Sequence, residues 1–82
     1  MPTIADVPGP YRFFFYSFDC NERPHVHVRR DQCTCKFWLD RIEPARNAGF
    51  TLRELARIRG TIFQYRMTIL EAWHEHCSSP GQ

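Results

Sequence analysis

The sequence predicts an α+β fold in which a small antiparallel sheet of three to four strands packs against one long C-terminal helix. Between residues 11 and 39, short segments are either aromatic or alternate between apolar and polar residues, as strands do. After residue 51, apolar residues recur at helical spacing. The length of 82 residues predicts a single domain over 1–82, with an N-terminal arm at 1–10 and a C-terminal tail at 78–82.

The strands follow the arm in chain order. Residues 11–18 are almost all aromatic, which is typical of a strand buried on both faces, and residues 19–24 form a polar loop. The second strand alternates valines with polar residues in the order His25, Val26, His27, Val28, Arg29. The third alternates in the order Thr34, Cys35, Lys36, Phe37, Trp38, Leu39. Residues 42–47 are ambiguous, because Pro44 permits at most a short edge strand.

A two-residue turn at residues 31–32 fixes how the second and third strands pair. It places Val28 opposite Cys35 and Val26 opposite Phe37, which makes one face of the hairpin apolar throughout. A slip of one residue would mix apolar and charged side chains on both faces, so this register is favoured. The opposite face then carries His25, His27, Arg29, Thr34, Lys36 and Trp38.

The helix begins at a predicted capping box formed by Thr51 and Glu54. Its apolar stripe should pack on the apolar face of the hairpin and end at residues 78–81. Gly60 lies inside this helix and is the expected position of any bend or break.

Charge is concentrated in the middle of the chain. Residues 23–66 contain ten bases and four acids, and nearly all the bases are arginines, which suit phosphate and carboxylate. This arrangement is consistent with an anionic partner, including nucleic acid, and also with an ordinary solvated surface.

The four cysteines permit two disulfides by count. The first residues have neither a basic start nor an apolar stretch, so we expect no secretory signal, a cytoplasmic location and reduced thiols. We expect Cys35 in the core and little dependence on Cys20 in its polar loop. No apolar run approaches the roughly 18 residues that span a membrane, so no membrane partner is expected.

The two histidines of the second strand are the candidate catalytic residues. His25 and His27 share one face and lie beside cations, an arrangement that suits acid–base chemistry on phosphates. The candidate binding residues are Arg29, Lys36 and Trp38. The alternative is an exposed sheet face without a special role.

A metal site is the other possibility that the histidines raise. His-x-His is a common ligand pair, and Cys33 and Cys35 would complete a zinc set only if they shared its face, which the favoured register does not allow. We therefore expect no metal and no cofactor. His74 and His76 lie two positions apart on a helix and do not form a chelate; His76 should be partly buried and His74 exposed.

Several motifs together resemble a bacterial family of small proteins, domain of unknown function 4160 (DUF4160). They are the opening M-P-T-I, the aromatic F-F-F-Y-S strand, P-H-V-H-V, K-F-W-L-D, the N-x-G-F turn and the closing A-W-H-E-H. The motif maps onto Pro24, His25, Val26, His27 and Val28, then Lys36, Phe37, Trp38, Leu39 and Asp40. Cys33 and Cys35 do not belong to the family pattern.

The resemblance implies a component of a toxin–antitoxin-like pair, but it implies no activity and transfers no catalytic residue. We therefore expect an interaction component that binds the protein encoded by the adjacent gene, or RNA, through the His25/His27 face. The alternatives are an RNA-cleaving toxin that uses these histidines as acid and base, and a metal-binding protein. Three strands followed by a helix are also similar to the double-stranded-RNA-binding fold of interferase toxins of the HicA type.

Overall fold

The computed structural model describes residues 3–5 and 7–78. The elements are β1 (Arg12–Phe14), a 3₁₀ turn (Asp19–Asn21), β2 (His25–Arg30), β3 (Cys33–Trp38), β4 (Glu43–Ala48), α1 (Leu52–Gln64) and α2 (Arg66–Cys77). The four strands form one antiparallel sheet in the order β1-β2-β3-β4. The predicted α+β class is confirmed, but the single long helix is wrong, because the described residues form two helices, α1 and α2.

The predicted hairpin register is confirmed. Val28 lies opposite Cys35, Val26 opposite Phe37 and His27 opposite Lys36. Asp31 occupies the turn with a φ of 57°, a left-handed conformation that aspartate tolerates better than most residues. Local alternation and the short turn therefore set the register as expected.

The aromatic segment contributes a shorter strand than predicted. β1 spans three residues, with Phe13 on the core face and Phe14 on the other, and both rings are buried. Phe15 leaves the sheet and packs edge-on against Trp73 of α2, with the ring centroids 5.4 Å apart. The strand ends here because burial against the helix replaces pairing with β2.

The ambiguous segment after the third strand forms the six-residue edge strand β4. Its pairing with β3 shifts register between Lys36 and Phe37, so that Phe37 faces Pro44 and Lys36 faces Arg46. Proline lacks an amide hydrogen, and an edge strand with a bulge accommodates it. β4 is longer than expected, but it lies at the edge as Pro44 requires.

The helical region begins as predicted and breaks elsewhere. The Thr51 hydroxyl accepts a hydrogen bond from the Glu54 amide at 3.1 Å, which is half of the capping box. The Glu54 side chain turns instead to Arg30, with which it forms an ion pair. The chain breaks at Tyr65 rather than at Gly60, which lies inside α1 with open space where a Cβ would project. The helix therefore continues through Gly60, and the expectation of a break at that position is wrong.

One apolar cluster lies between the helices and the sheet. Val26 and Val28 are fully buried against the same core as Ile58 of α1 and Ile69 of α2. The described part of the N-terminal arm joins this core through Ile4 and Val7. Apart from Ser78, the predicted C-terminal tail lies outside the described residues.

The expectation that all cysteines are free is wrong. Cys20 and Cys77 form a disulfide that joins the 3₁₀ turn to the end of α2, while Cys33 and Cys35 are free. Burial raises the pKa of the Cys35 thiol to about 12, which is consistent with its predicted place in the core. Cys20 therefore anchors its loop through a covalent bond, whereas the sequence predicts little dependence on this residue.

None of the helices in the described part of the chain has the length and apolar character needed to cross a membrane.

Candidate functional site

The sheet face turned away from the core carries two cross-strand pairs of cationic side chains. We call it the open face; it comprises Arg12, Phe14, His27, Arg29, Thr34, Lys36 and Arg46. Strand pairing sets Arg12 directly opposite Arg29 and Lys36 directly opposite Arg46. Directly opposed residues in an antiparallel pair project to the same side, so this pairing brings like charges together.

Aromatic rings border the open face at the end of β1. The His27 ring lies parallel to Phe14 at 5.5 Å and edge-on to Tyr16 at 4.7 Å. Tyr16 stacks in turn on Phe18, with centroids 5.6 Å apart. Beside these rings is a cavity of about 160 Å³, lined by Phe14, Tyr16, His27, Thr34, Cys35, Lys36 and Arg46.

At one end of this face, His27 forms a compact group with Asp19 and His25 that we call the His–Asp cluster. Nε2 of His25 lies 3.1 Å from Oδ1 of Asp19, and Nε2 of His27 lies 3.0 Å from Oδ2 of the same carboxylate. The side chains of His25 and Asp19 are 0% and 2% exposed, and that of His27 is 18% exposed. The His27 ring therefore reaches the cavity, whereas the His25 ring is closed off from solvent.

The hydrogen bonds of His25 define where its proton lies. Nδ1 is 2.7 Å from the carbonyl oxygen of Arg23, which can only accept, so Nδ1 donates. Nε2 is buried and makes no hydrogen bond of acceptable geometry to any described residue, despite its short distance to Asp19. The rings of Trp38 and Trp73 lie 5.8 and 5.2 Å from the His25 ring.

Electrostatics favour an ionised aspartate beside a neutral His27. Burial raises the pKa of Asp19. The Tyr16 amide, which donates to Oδ2 at 2.7 Å, and the two histidines lower this pKa by more, so the net pKa is below its ordinary value. Burial lowers the pKa of His27 more than the Asp19 carboxylate raises it. The His27 imidazole is therefore neutral at about pH 7.

Contacts from α2 position the loop that carries Asp19. The Cys20–Cys77 disulfide ties the residue next to Asp19 to the end of α2. Nε2 of His76 lies 3.0 Å from the carbonyl oxygen of Tyr16, and its ring stacks on Phe15. His76 is half-buried, as the sequence predicts. The loop is therefore attached to α2 at Tyr16, before Asp19, and at Cys20, after it.

Comparison with protein families identifies the chain. Residues 11–74 match the family model described as Domain of unknown function (DUF4160). The chain belongs to this family. The matched range of this DUF4160 protein contains the whole His–Asp cluster and ends before Cys77. Comparison with curated proteins gives no match, and comparison with solved structures gives none.

The predicted site residues of this DUF4160 protein lie in different environments. Arg29 is exposed, whereas Lys36 is half-buried and pairs with Glu22 at 2.7 Å. Trp38 is half-buried beneath the Arg23 guanidinium, whose Cζ lies 4.7 Å from the ring centroid. His25 is fully buried, which contradicts the expectation that it lies on the exposed face.

Sequence reasoning missed the residues that other segments supply. Asp19 lies in the presumed polar loop, and no periodicity marks it as buried. Arg46 lies in the ambiguous segment, so its place opposite Lys36 was not expected. Cys33 and Cys35 take no part in the His–Asp cluster, whose three side chains offer ligand atoms within 4.8 Å of one another.

Proposed function

We propose that this DUF4160 protein is the interaction component of a toxin–antitoxin-like pair and that its open face binds RNA. The toxin–antitoxin setting follows from the family resemblance. The proposal for RNA rests on the open face, and one observation carries it: two pairs of cations, Arg12 with Arg29 and Lys36 with Arg46, stand directly opposite each other.

Like charges placed opposite each other destabilise a sheet, because the two side chains repel each other. Lys36 pairs with Glu22, but within the described residues Arg46 makes no ion pair, and Arg29 donates only to the backbone carbonyl of Asp31. Phosphate groups spaced along a strand of RNA would relieve this repulsion, since arginine donates to phosphate in bidentate fashion. The cost to the free protein thus supports an anionic ligand on this face.

The aromatic border distinguishes RNA from other polyanions. Tyr16 is 37% exposed and Phe18 is 64% exposed, and their rings are nearly parallel. Exposed rings beside a cationic sheet face are typical of proteins that stack single-stranded bases. An acidic protein surface would use the cations but would have no need of this pair of rings.

The test is a salt-dependent binding assay with a single-stranded RNA oligonucleotide. The variant Arg29→Glu/Arg46→Glu should lose affinity, and the slope of log K against log salt should fall by about 0.7 for each lost phosphate contact. Folding should be retained, because the changes relieve repulsion. The matched control Arg53→Glu/Arg57→Glu alters the same net charge on exposed positions of α1 and should keep most of the slope.

Two results would contradict the proposal that RNA binds to the open face. Equal losses in the test variant and its matched control would mean that only net charge matters. Binding of polyglutamate as tightly as of RNA, with no effect of Phe18→Ala, would assign the face to an acidic protein, such as the product of the adjacent gene.

RNA cleavage is a second candidate, favoured by the position of His27. Its Nε2 donates to the Asp19 carboxylate at 3.0 Å, which leaves Nδ1 as the nitrogen that could accept a proton, and the ring lines the cavity on the open face. His25 does not reach the cavity, so the acid–base role would fall to His27 alone. Metal-independent RNA cleavage that His27→Gln abolishes would support this activity, and intact RNA after prolonged incubation would exclude it.

A further inference from the structure

We propose that the His–Asp cluster binds one divalent transition-metal ion of the zinc type. The ligands would be Nε2 of His25, Nε2 of His27 and the carboxylate of Asp19. This site goes beyond the RNA-binding function and stands independently of it.

The main evidence is the direction of the unpartnered nitrogen of His25. Because Nδ1 donates to the Arg23 carbonyl, a neutral ring has its lone pair on Nε2. That nitrogen lies 3.1 Å from a carboxylate oxygen, yet the two are not aligned for a hydrogen bond, and Nε2 has no other partner among residues 3–5 and 7–78. In coordination sites, ligand atoms lie side by side in this way, since their lone pairs converge on the ion and not on each other.

The spacing of the ligand atoms fits a small ion. Bonds of about 2.0–2.1 Å at tetrahedral angles separate neighbouring N and O ligands by about 3.3 Å. Nε2 of His25 lies 3.1 Å from Oδ1 of Asp19, close to this value, and one ligand atom from each of the three residues lies within 4.8 Å of the others. Nε2 of His27 is hydrogen-bonded to Oδ2 of Asp19 at 3.0 Å, and it would exchange this hydrogen bond for a bond to the ion. Two imidazoles and one carboxylate are a donor set that favours zinc or iron(II) over magnesium or calcium.

The surrounding groups hold the ligands as the second shell of a metal site does. Histidine ligands commonly donate their other ring N–H to a backbone carbonyl, as His25 does to Arg23. The Tyr16 amide donates to Asp19 at 2.7 Å and fixes the carboxylate. Lys36, which lies opposite His27 on β3, already pairs with Glu22 at 2.7 Å, which offsets its repulsion of a bound ion.

The cavity provides access to such an ion from one side only. Asp19 and His25 are sealed from solvent, whereas His27 also lines the cavity on the open face. Three protein ligands leave one coordination position, and a water molecule or an anionic group entering from this cavity would complete it.

The competing explanation is a proton in place of the metal: a positively charged His25 paired with Asp19. Either a proton or a metal ion would account for the short distance between Nε2 of His25 and Oδ1 of Asp19. The experiment must therefore supply metal to a folded, metal-free protein. Cobalt(II) is the probe, because an imidazole–carboxylate site gives visible absorption bands, whereas thiolate ligands from Cys33 or Cys35 would add intense near-ultraviolet bands.

We expect one cobalt ion per chain, displaced by zinc, with visible bands and no thiolate bands. Asp19→Asn keeps the size of the side chain and an acceptor for the Tyr16 amide, and it should weaken binding at least about 100-fold. His27→Gln, at the partly exposed ligand, should do the same and is the variant that decides if Asp19→Asn fails to fold. The matched controls Asp31→Asn and His74→Gln alter exposed residues and should bind as the unaltered protein does.

Two outcomes would overturn the site. One is a folded, metal-free protein that takes up neither cobalt nor zinc, which would assign the cluster to a proton-mediated ion pair. The other is metal uptake that persists undiminished in Asp19→Asn and His27→Gln, which would place the metal elsewhere. The variant Arg29→Glu/Arg46→Glu should keep its metal, so failure of the RNA proposal and failure of this one are distinguishable.

Discussion

At the residue scale, His25 and His27 lie on the same face of β2 but differ in what covers them. Trp73 of α2 and the 3₁₀ turn close over His25, whose ring donates to a backbone carbonyl. His27 stacks on Phe14 and remains 18% exposed at the cavity. Strand alternation determines the face of a side chain, whereas neighbouring elements determine its access to solvent.

This difference predicts unequal effects on stability. His25→Ala should lower the free energy of unfolding by at least about 2 kcal/mol, because it leaves a cavity and an unpaired Arg23 carbonyl. His27→Ala should lower it by clearly less, since solvent can replace part of its contacts. Urea denaturation of both variants measures the difference, with the exposed His74→Ala as the control, expected within about 0.5 kcal/mol of the unaltered protein. Equal stability of the His25 and His27 variants would contradict this picture and would support a surface role for both rings.

At the element scale, the 3₁₀ turn and α2 act as one unit. The disulfide joins Cys20 to Cys77, and Phe15 packs against Trp73 and His76 of the same helix. The helix break at Tyr65 separates α1, which buries Ile58 and Ile62, from α2, which carries these contacts. The loop that bears Asp19 is therefore positioned by the C-terminal helix and not by the sheet alone.

Removing the disulfide should loosen this unit. Its cysteines are 57 residues apart, and closing a loop of that length restricts the unfolded chain, so Cys20→Ser/Cys77→Ser should lose about 2–4 kcal/mol of unfolding free energy. Thermal melts with and without reductant provide the measurement. Reductant should lower the melting temperature of the unaltered protein to near that of the double variant and should not shift the variant itself. A melting temperature that responds to neither change would show that the bond contributes nothing to folding.

At the scale of the whole molecule, a small core depends on two apolar surfaces that meet. The buried face of the hairpin contributes Val26, Val28 and Phe37, and the helices contribute Ile58 and Ile62. A chain of this size buries only about 60–65% of its unfolded surface, so its free energy of unfolding depends on few contacts.

Single truncations in this core should therefore have large effects. Phe37→Ala and Ile62→Ala should each lower the unfolding free energy by about 2–5 kcal/mol, because both side chains are buried and leave cavities. Leu52→Ala is the control: its residue is 85% exposed, and the change should stay within about 0.5 kcal/mol. Chemical denaturation measures all three. A loss below about 0.5 kcal/mol at either core position would contradict the packing of the helices on the hairpin.

Local rules in the sequence were enough for the hairpin and for part of the site. The alternation around Val26 and Val28 and the two-residue turn depend on neighbouring residues, so they fixed the register and placed His27, Arg29 and Lys36 on one face. The cap at Thr51 is equally local. These features could be predicted because period and turn geometry act over a few residues.

Tertiary packing alone decided the rest. Asp19 joins the histidines only because the 3₁₀ turn folds back over β2, and Cys20 meets Cys77 only because α2 returns to that turn. Arg46 faces Lys36 because a bulge between Pro44 and Arg46 shifts the pairing of β4 with β3. Each of these contacts joins residues whose own neighbours carry no sign of the partner, since the free energy that selects them comes from burial and pairing across the whole fold.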